Sequence, residues 1–251
     1  MTTYAQHYEE CRLNFNNPEA NILSVTVEDD LRITSEYDAM ISSLNRTTTE
    51  AFLDSSKYDE QKFMKQIKNS TQFPEVKLIH EYFYDQISTR FFGSHYTSNR
   101  IQIVRSIPTQ VEPDASWVWH YDDNSAPHVK LFIYLSDVVS TDDAPFSYLS
   151  CPKRGIPKMP SSRVAPNQRT AQAYPGSRIP EELIKQENLV EKYVLGKKGK
   201  PFVFDPNIIH RATVPAPGHG RTALIYHYHP VSSKMEIFDY PDLDVKSYIL
   251  R

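Results

Sequence analysis

Glycine and cysteine are both scarce in this 251-residue chain, with seven and two residues, and no apolar run approaches eighteen positions. Each shortage excludes something. No glycine-rich loop is present to cradle a phosphate, so neither a P-loop nor a dinucleotide-binding fold is expected. Cys11 and Cys151 make neither a disulfide framework nor a metal-binding spacing, and read as reduced thiols. The missing hydrophobic stretch, together with the polar opening Met1–Glu10, gives no membrane-spanning helix and no signal segment, and so an expected cytoplasmic location. Basic runs are absent too. With a net charge of −3, nothing electrostatic calls for nucleic acid or a membrane surface as partner.

What is present is an ordinary globular composition, 39% hydrophobic and 24% charged, with eighteen prolines to stiffen the loops. Asn21–Val27 alternates like a short strand. Asp29 and Asp30 offer N-cap chemistry for a helix whose apolar positions are Tyr37, Met40, Ile41 and Leu44. A second helical run is expected at about Tyr58–Ile67. A third should begin at Pro74, with Val76, Ile79, Phe83 and Ile87 on one face.

From Arg100 the period changes to two. Ile101–Ile107, Trp117–Tyr121, Val129–Leu135, Pro145–Leu149, Glu191–Leu195, Pro201–Phe204, the segment after His210, and Arg221–His229 all read as strands. The expected architecture is a single α+β domain spanning 1–251. It has a mainly helical layer over 1–99, a core of antiparallel strands over 100–230 forming a sandwich or barrel, and a tail over 231–251. A Pro-, Arg- and Ser-rich insertion at about 151–180 interrupts the strands, and a loop that long usually covers a site.

One stretch carries chemistry. Within Trp117–Asn124, His120 and Asp122 are separated by Tyr121, and in an extended segment their side chains fall on one side. His210 closes the apolar run that begins at Pro201. Two imidazoles and one carboxylate can hold a divalent ion by one face and leave the other open, as in non-haem Fe(II) oxygenases. Eleven positions after His210 comes Arg221. Singly, each feature is commonplace: His120 could be a half-buried strand histidine, Asp122 a turn residue, Arg221 a surface arginine. Their order is what distinguishes them.

In that order the chain resembles the Fe(II)- and 2-oxoglutarate-dependent oxygenases, most closely the phytanoyl-CoA-hydroxylase-like branch. The resemblance runs from about Arg100 to His229. It rests on His120-Tyr-Asp122, Val129–Asp137, the Asp143–Phe146 turn, Gly199–His210 and Arg221. Two features depart from that branch: Tyr148–Lys153 stands where a Pro-Gly-Ser-His segment is common, and the first hundred residues match nothing specific. The resemblance implies a double-stranded β-helix (jelly-roll, cupin-like) core with the N-terminal helices packed on one sheet. It also implies iron held by His120, Asp122 and His210, and 2-oxoglutarate anchored by Arg221.

The implied activity is oxidation by O2 of an unactivated C–H in a small-molecule substrate, commonly hydroxylation, with release of succinate and CO2. A planar, permanently charged guanidinium suits the far carboxylate of the diacid better than an ammonium. Some relatives add a hydroxyl two residues after the arginine. Ala223 stands there, and strand register offers Gln102, Lys130 or Tyr134 as the second donor. Related halogenases lack the carboxylate ligand, so Asp122 favours oxidation over halogenation.

His227 and His229 read as packing or pocket lining, His128 and His219 as solvated loop residues, and Trp117 and Trp119 as core flanking the site. Arg105, Arg154, Arg163 and Arg169 read as wet charges. Two other readings stay open at this point: a catalytically silent jelly-roll binding module, and a cupin-type metalloenzyme that needs no keto acid.

Overall fold

The computed structural model describes residues 31–122, 128–152, 156, 178–231 and 233–234. The expected strand at Asn21–Val27, the Asp29/Asp30 cap and most of the 151–180 insertion lie outside these residues. Three α-helices are described: α1 Ser35–Ala51, α2 Pro74–Ile87 and α3 Glu181–Gln186. The strands are β1 Tyr58–Glu60, β2 Met64–Ile67, β3 His95–Ser106, β4 Val129–Tyr134, β5 Phe146–Ser150, β6 Val190–Val194, β7 Pro201–Phe204, β8 His210–Ala212 and β9 Thr222–Val231.

They form two antiparallel sheets, a large one in the order β1-β2-β3-β9-β4-β7 and a small one in the order β6-β5-β8. His120 extends the small sheet through isolated bridges to His210 and Arg178. Four strands of the large sheet thus face four segments of the small one, which is the double-stranded β-helix.

Strict alternation along the large sheet sorts its side chains into two cores. Leu131, Ile133, Val203, Leu224, Tyr226 and Tyr228 are buried with Tyr37, Ile41 and Leu44 of α1 and Val76, Ile79 and Phe83 of α2. Their neighbours along the strands, Phe132, Tyr134, Phe202, Phe204 and Ala223, turn the other way and meet Phe146 and Val194 of the small sheet. A third cluster, Tyr121, Leu149, Ile179 and Ile209, packs against Leu183 and Ile184 of α3.

α2 begins with Pro74 in its first turn, where a missing N–H costs nothing. α1 begins after Thr34, with no side-chain cap. The expected helix at about Tyr58–Ile67 is instead the β1–β2 hairpin. Phe63, Met64 and Ile67 suit helical spacing, but the open edge of β3 offers a ladder of pairings (Met64 with Ser106, Gln66 with Val104), and tertiary pairing overrides so short a local pattern. Trp117 closes a 3-10 turn over Ala115–Trp117, so extended backbone starts only at Val118.

Candidate metal centre

His120 and His210 face each other because their backbones do. The amide of each donates to the carbonyl of the other, at 3.1 and 2.8 Å, and their ring centroids are 4.3 Å apart. Asp122 is fixed two residues on by its own amide, which donates to Pro206 O at 2.9 Å. Nδ1 of His120 lies 2.9 Å from Val118 O, and Nδ1 of His210 lies 2.9 Å from Ile208 O. A carbonyl can only accept, so each Nδ1 carries the proton and each Nε2 offers a bare lone pair. Those two lone pairs converge on Asp122 Oδ1, at 3.5 Å from His120 Nε2 and 3.8 Å from His210 Nε2. One ligand atom from each of the three residues lies within 4.8 Å of the other two, a separation that admits a single ion between them.

The electrostatics keep the set ready for a cation. Burial pushes the His210 imidazole down to about 3, helped by His120 and opposed by Asp122, so it is neutral throughout the physiological range. Burial alone would raise the Asp122 carboxyl, but Lys130, His120 and His210 together hold it well below the usual carboxylate range. The Lys130 ammonium pairs with Oδ2 of Asp122, leaving Oδ1 toward the imidazoles.

The triad opens on a cavity of about 380 Å³ between the sheets. At one end is Arg221, buried at 4% exposure, with Nε and Nη1 lacking any hydrogen-bond partner. Its Nη2 is 3.4 Å from Ser106 Oγ, and its guanidinium sits 5.2 Å from the Phe132 ring centroid. No carboxylate pairs with it among the described residues. Burial lowers its pKa, and Tyr134 opposes the shift. A buried guanidinium with two unpaired nitrogens, met among the described residues only by the hydroxyls of Ser106 and Tyr134, suits an anionic ligand. Gly220 eases the placement: a Cβ there would meet Ser106 O at 3.0 Å, tighter than ordinary contact, where the chain passes close to β3 before turning Arg221 inward.

Of the residues expected from strand register, Lys130 and Gln102 line the cavity and Tyr134 does not. Lys130 is engaged with Asp122. The Gln102 amide donates to Gln66 and accepts from His227 Nε2. The Tyr134 hydroxyl donates to Val194 O at 2.7 Å, accepts the Phe146 amide, and also meets the Arg221 guanidinium. Ser106 supplies the hydroxyl that Ala223 lacks. It went unread because it lies on the neighbouring strand, 115 positions before Arg221.

His128 was expected in solvent. It is buried at 6% exposure, stacked on His229 at 4.2 Å, and lines the cavity. Trp117 forms cavity wall as well as core, stacked on Phe63 at 4.7 Å. His219 remains on the surface, paired with Asp143 at 2.8 Å.

No family model matches the sequence, and no curated protein matches it either. Solved structures do match the fold. AviO1 from Streptomyces viridochromogenes Tue57 is 15% identical over 91% of this chain and 97% of its own, with a TM-score of 0.52. The chain shares its fold. The non-haem alpha-ketoglutarate-dependent carbocyclase SnoK from nogalamycin biosynthesis gives 16% identity, 79% and 77% coverage and a TM-score of 0.54. EctD from S. alaskensis, solved with 2-oxoglutarate and 5-hydroxyectoine, gives 13%, 88% and 83%, and 0.53. No described helix is long and apolar enough to cross a membrane.

Proposed function

We propose that this chain is a mononuclear non-haem Fe(II)- and 2-oxoglutarate-dependent oxygenase acting on a small molecule. The observation that carries the reading is the pairing of two bare Nε2 lone pairs and one carboxylate oxygen with a buried guanidinium, two of whose nitrogens lack hydrogen-bond partners, lining the same cavity. The folds of SnoK and EctD, which are described with this co-substrate, support it.

On this reading His120, His210 and Asp122 hold iron, and Arg221 with Ser106 holds the far carboxylate of 2-oxoglutarate. Bound there, the metal and keto acid supply the oxidation in which one O2 converts 2-oxoglutarate to succinate and CO2 and a substrate C–H to C–OH. The protein's part is positional. Lys130 binds Oδ2 of Asp122 and presents Oδ1 alone, which keeps the carboxylate from spreading over a second coordination position. Phe132, Phe146 and Phe204 wall the cavity and exclude water from the reacting face. A volume of about 380 Å³ suits a small molecule beside the diacid.

The unsatisfied nitrogens of Arg221 favour this reading over a metalloenzyme without a keto acid. The test is substrate-free conversion of 2-oxoglutarate to succinate in air. It should require added Fe(II) and be absent in His120→Ala. An iron-loaded protein that makes no succinate, with or without a screened substrate, contradicts the reading.

A further inference from the structure

The cavity is lined along β3 from Ser106, beside Arg221, back to Arg100, and its chemistry at the Arg100 end has a sign. Arg100, Gln102 and Ser106 lie along β3 and all line it. Ser106 stands beside Arg221, and Arg100 is six residues back, roughly 20 Å away along the strand. Across the sheet Arg100 pairs with His227, and His227 pairs with Lys130, the residue that holds Asp122. Arg100 therefore lies two strand spacings, about 10 Å between backbones, from Lys130, whose ammonium pairs with Asp122.

A backbone irregularity puts it there. Tyr96, four residues earlier, faces the helices, and unbroken alternation would send Arg100 the same way. A register shift between Ser98 and Arg100 inserts one extra residue and turns Arg100 to the cavity. Bulges beside sites commonly re-aim one side chain in this manner.

We infer that this end of the cavity binds an oxyanion of the primary substrate, a carboxylate or a phosphate, gripped by Arg100 with His128 and His227 beside it. The inference rests on the function proposed above, because it assigns to the substrate the space that the iron and Arg221 sites leave over.

Three independent features converge on it. The lining contains three side-chain cations, Arg100, Lys130 and Arg221, and a single carboxylate, Asp122, among the described residues. With a divalent metal and a doubly charged keto acid in place, positive charge still exceeds negative, and Arg100 has no ion pair among the described residues. His128 is buried with neither ring nitrogen hydrogen-bonded, an orphaned donor inside an otherwise apolar stack with His229. His227, by contrast, already donates Nε2 to Gln102, which aligns its ring at the Arg100 row. Arg100, exposed at the edge of the cavity, would repel a cationic substrate, and a purely apolar one would leave the buried His128 unpaired. An oxyanion answers both.

The test uses the full chain loaded with Mn(II) in place of iron and saturated with 2-oxoglutarate, so no turnover is needed. Inorganic phosphate is followed by its 31P relaxation and acetate by its carboxyl 13C relaxation, with tetramethylammonium protons as the cationic comparison. At least one oxyanion should show saturable paramagnetic relaxation, and which one responds separates phosphate from carboxylate. Arg100→Met should weaken that binding about tenfold or more, the loss of one charge-assisted contact. Arg100→Lys should retain part of it. Neither anion relaxing saturably, Arg100→Met binding them as well as the parent, or tetramethylammonium binding in their place would each overturn the inference. Metal and diacid binding are read separately from water-proton relaxation. If they fail, the oxygenase reading falls and takes this one with it; if they hold and no oxyanion responds, this one falls alone.

Discussion

On the helix side of the large sheet, Leu131, Ile133, Val203 and Leu224 are buried against α1 and α2. One position along the same strands, on the other side, are Lys130, His227 and Gln102, with Arg221 just before β9. Both faces come from one alternating pattern and share one backbone, so what separates them is only which residues fall on even or odd positions. The helix face is mostly apolar and packed against the helices, and its contribution is stability. Both faces keep buried polar atoms without hydrogen-bond partners, His80 Nε2 and the Tyr96 hydroxyl on the helix side and two nitrogens of Arg221 and both of His128 on the other, but only the latter line a cavity that a ligand can enter.

Substitutions should split along that line. The largest effect expected is at the triad. His210→Ala should abolish iron-dependent succinate formation while leaving the metal-free protein folded, as read by circular dichroism. Loss of the fold instead would mean that the cavity face is structural after all. On the helix face, Leu224→Ala should cost about 2–5 kcal/mol in urea unfolding through lost burial and a residual cavity. Metal affinity in whatever protein remains folded should stay at the parent value.

A third prediction sets acid against both faces. Burial holds His80 and His210 at about 3 and His229 at about 4, and pushes His128 and His227 down as well. An unfolded chain takes up these protons near pH 6.5, whereas in the folded chain His80, His210 and His229 refuse them until pH 3–4 and burial keeps His128 and His227 neutral well below their ordinary range. Stability of the metal-free protein should therefore fall as pH drops from about 6.5 toward 4, by up to about 1.4 kcal/mol per pH unit for each such imidazole. Urea midpoints that stay level between pH 7.5 and 5 would show that the histidines are not held neutral.

Arg221→Lys comes next. It keeps the charge but loses the fork, and should raise the KM for 2-oxoglutarate tenfold or more with little change in melting temperature. The smallest effect belongs outside both faces. The half-exposed Arg211–Glu191 pair, 2.9 Å apart, should contribute no more than about 1 kcal/mol in a double-mutant cycle.

Much of this division is legible in the sequence, since a period of two assigns faces directly. That is why the cavity strands could be named before any coordinates, whereas the His120, Asp122 and His210 set was named from the order of its motifs and the resemblance they carry. Three things could not. Tyr58–Ile67 satisfies helical and strand spacing alike, and only the open edge of β3 decides between them. Ser106 and Arg221 become neighbours through the closing of β9 on β3, a contact no local pattern records. The bulge at Ser98–Arg100 shifts the face of everything before it, so counting back from Gln102 places Tyr96 on the wrong side. His128 was misread for a related reason: polar neighbours suggest a wet loop, but it lies immediately before β4, where the sheet has already closed over it.

The central claim is that one cavity holds a metal at three side chains and a keto acid at a fourth. Its most direct test is the visible absorption of the protein mixed with Fe(II) and 2-oxoglutarate in the absence of oxygen. The account predicts a weak charge-transfer band that saturates with one equivalent of each, is lost in His120→Ala, and needs far more 2-oxoglutarate in Arg221→Ala. Iron binding without that band, or a band indifferent to both substitutions, would contradict it.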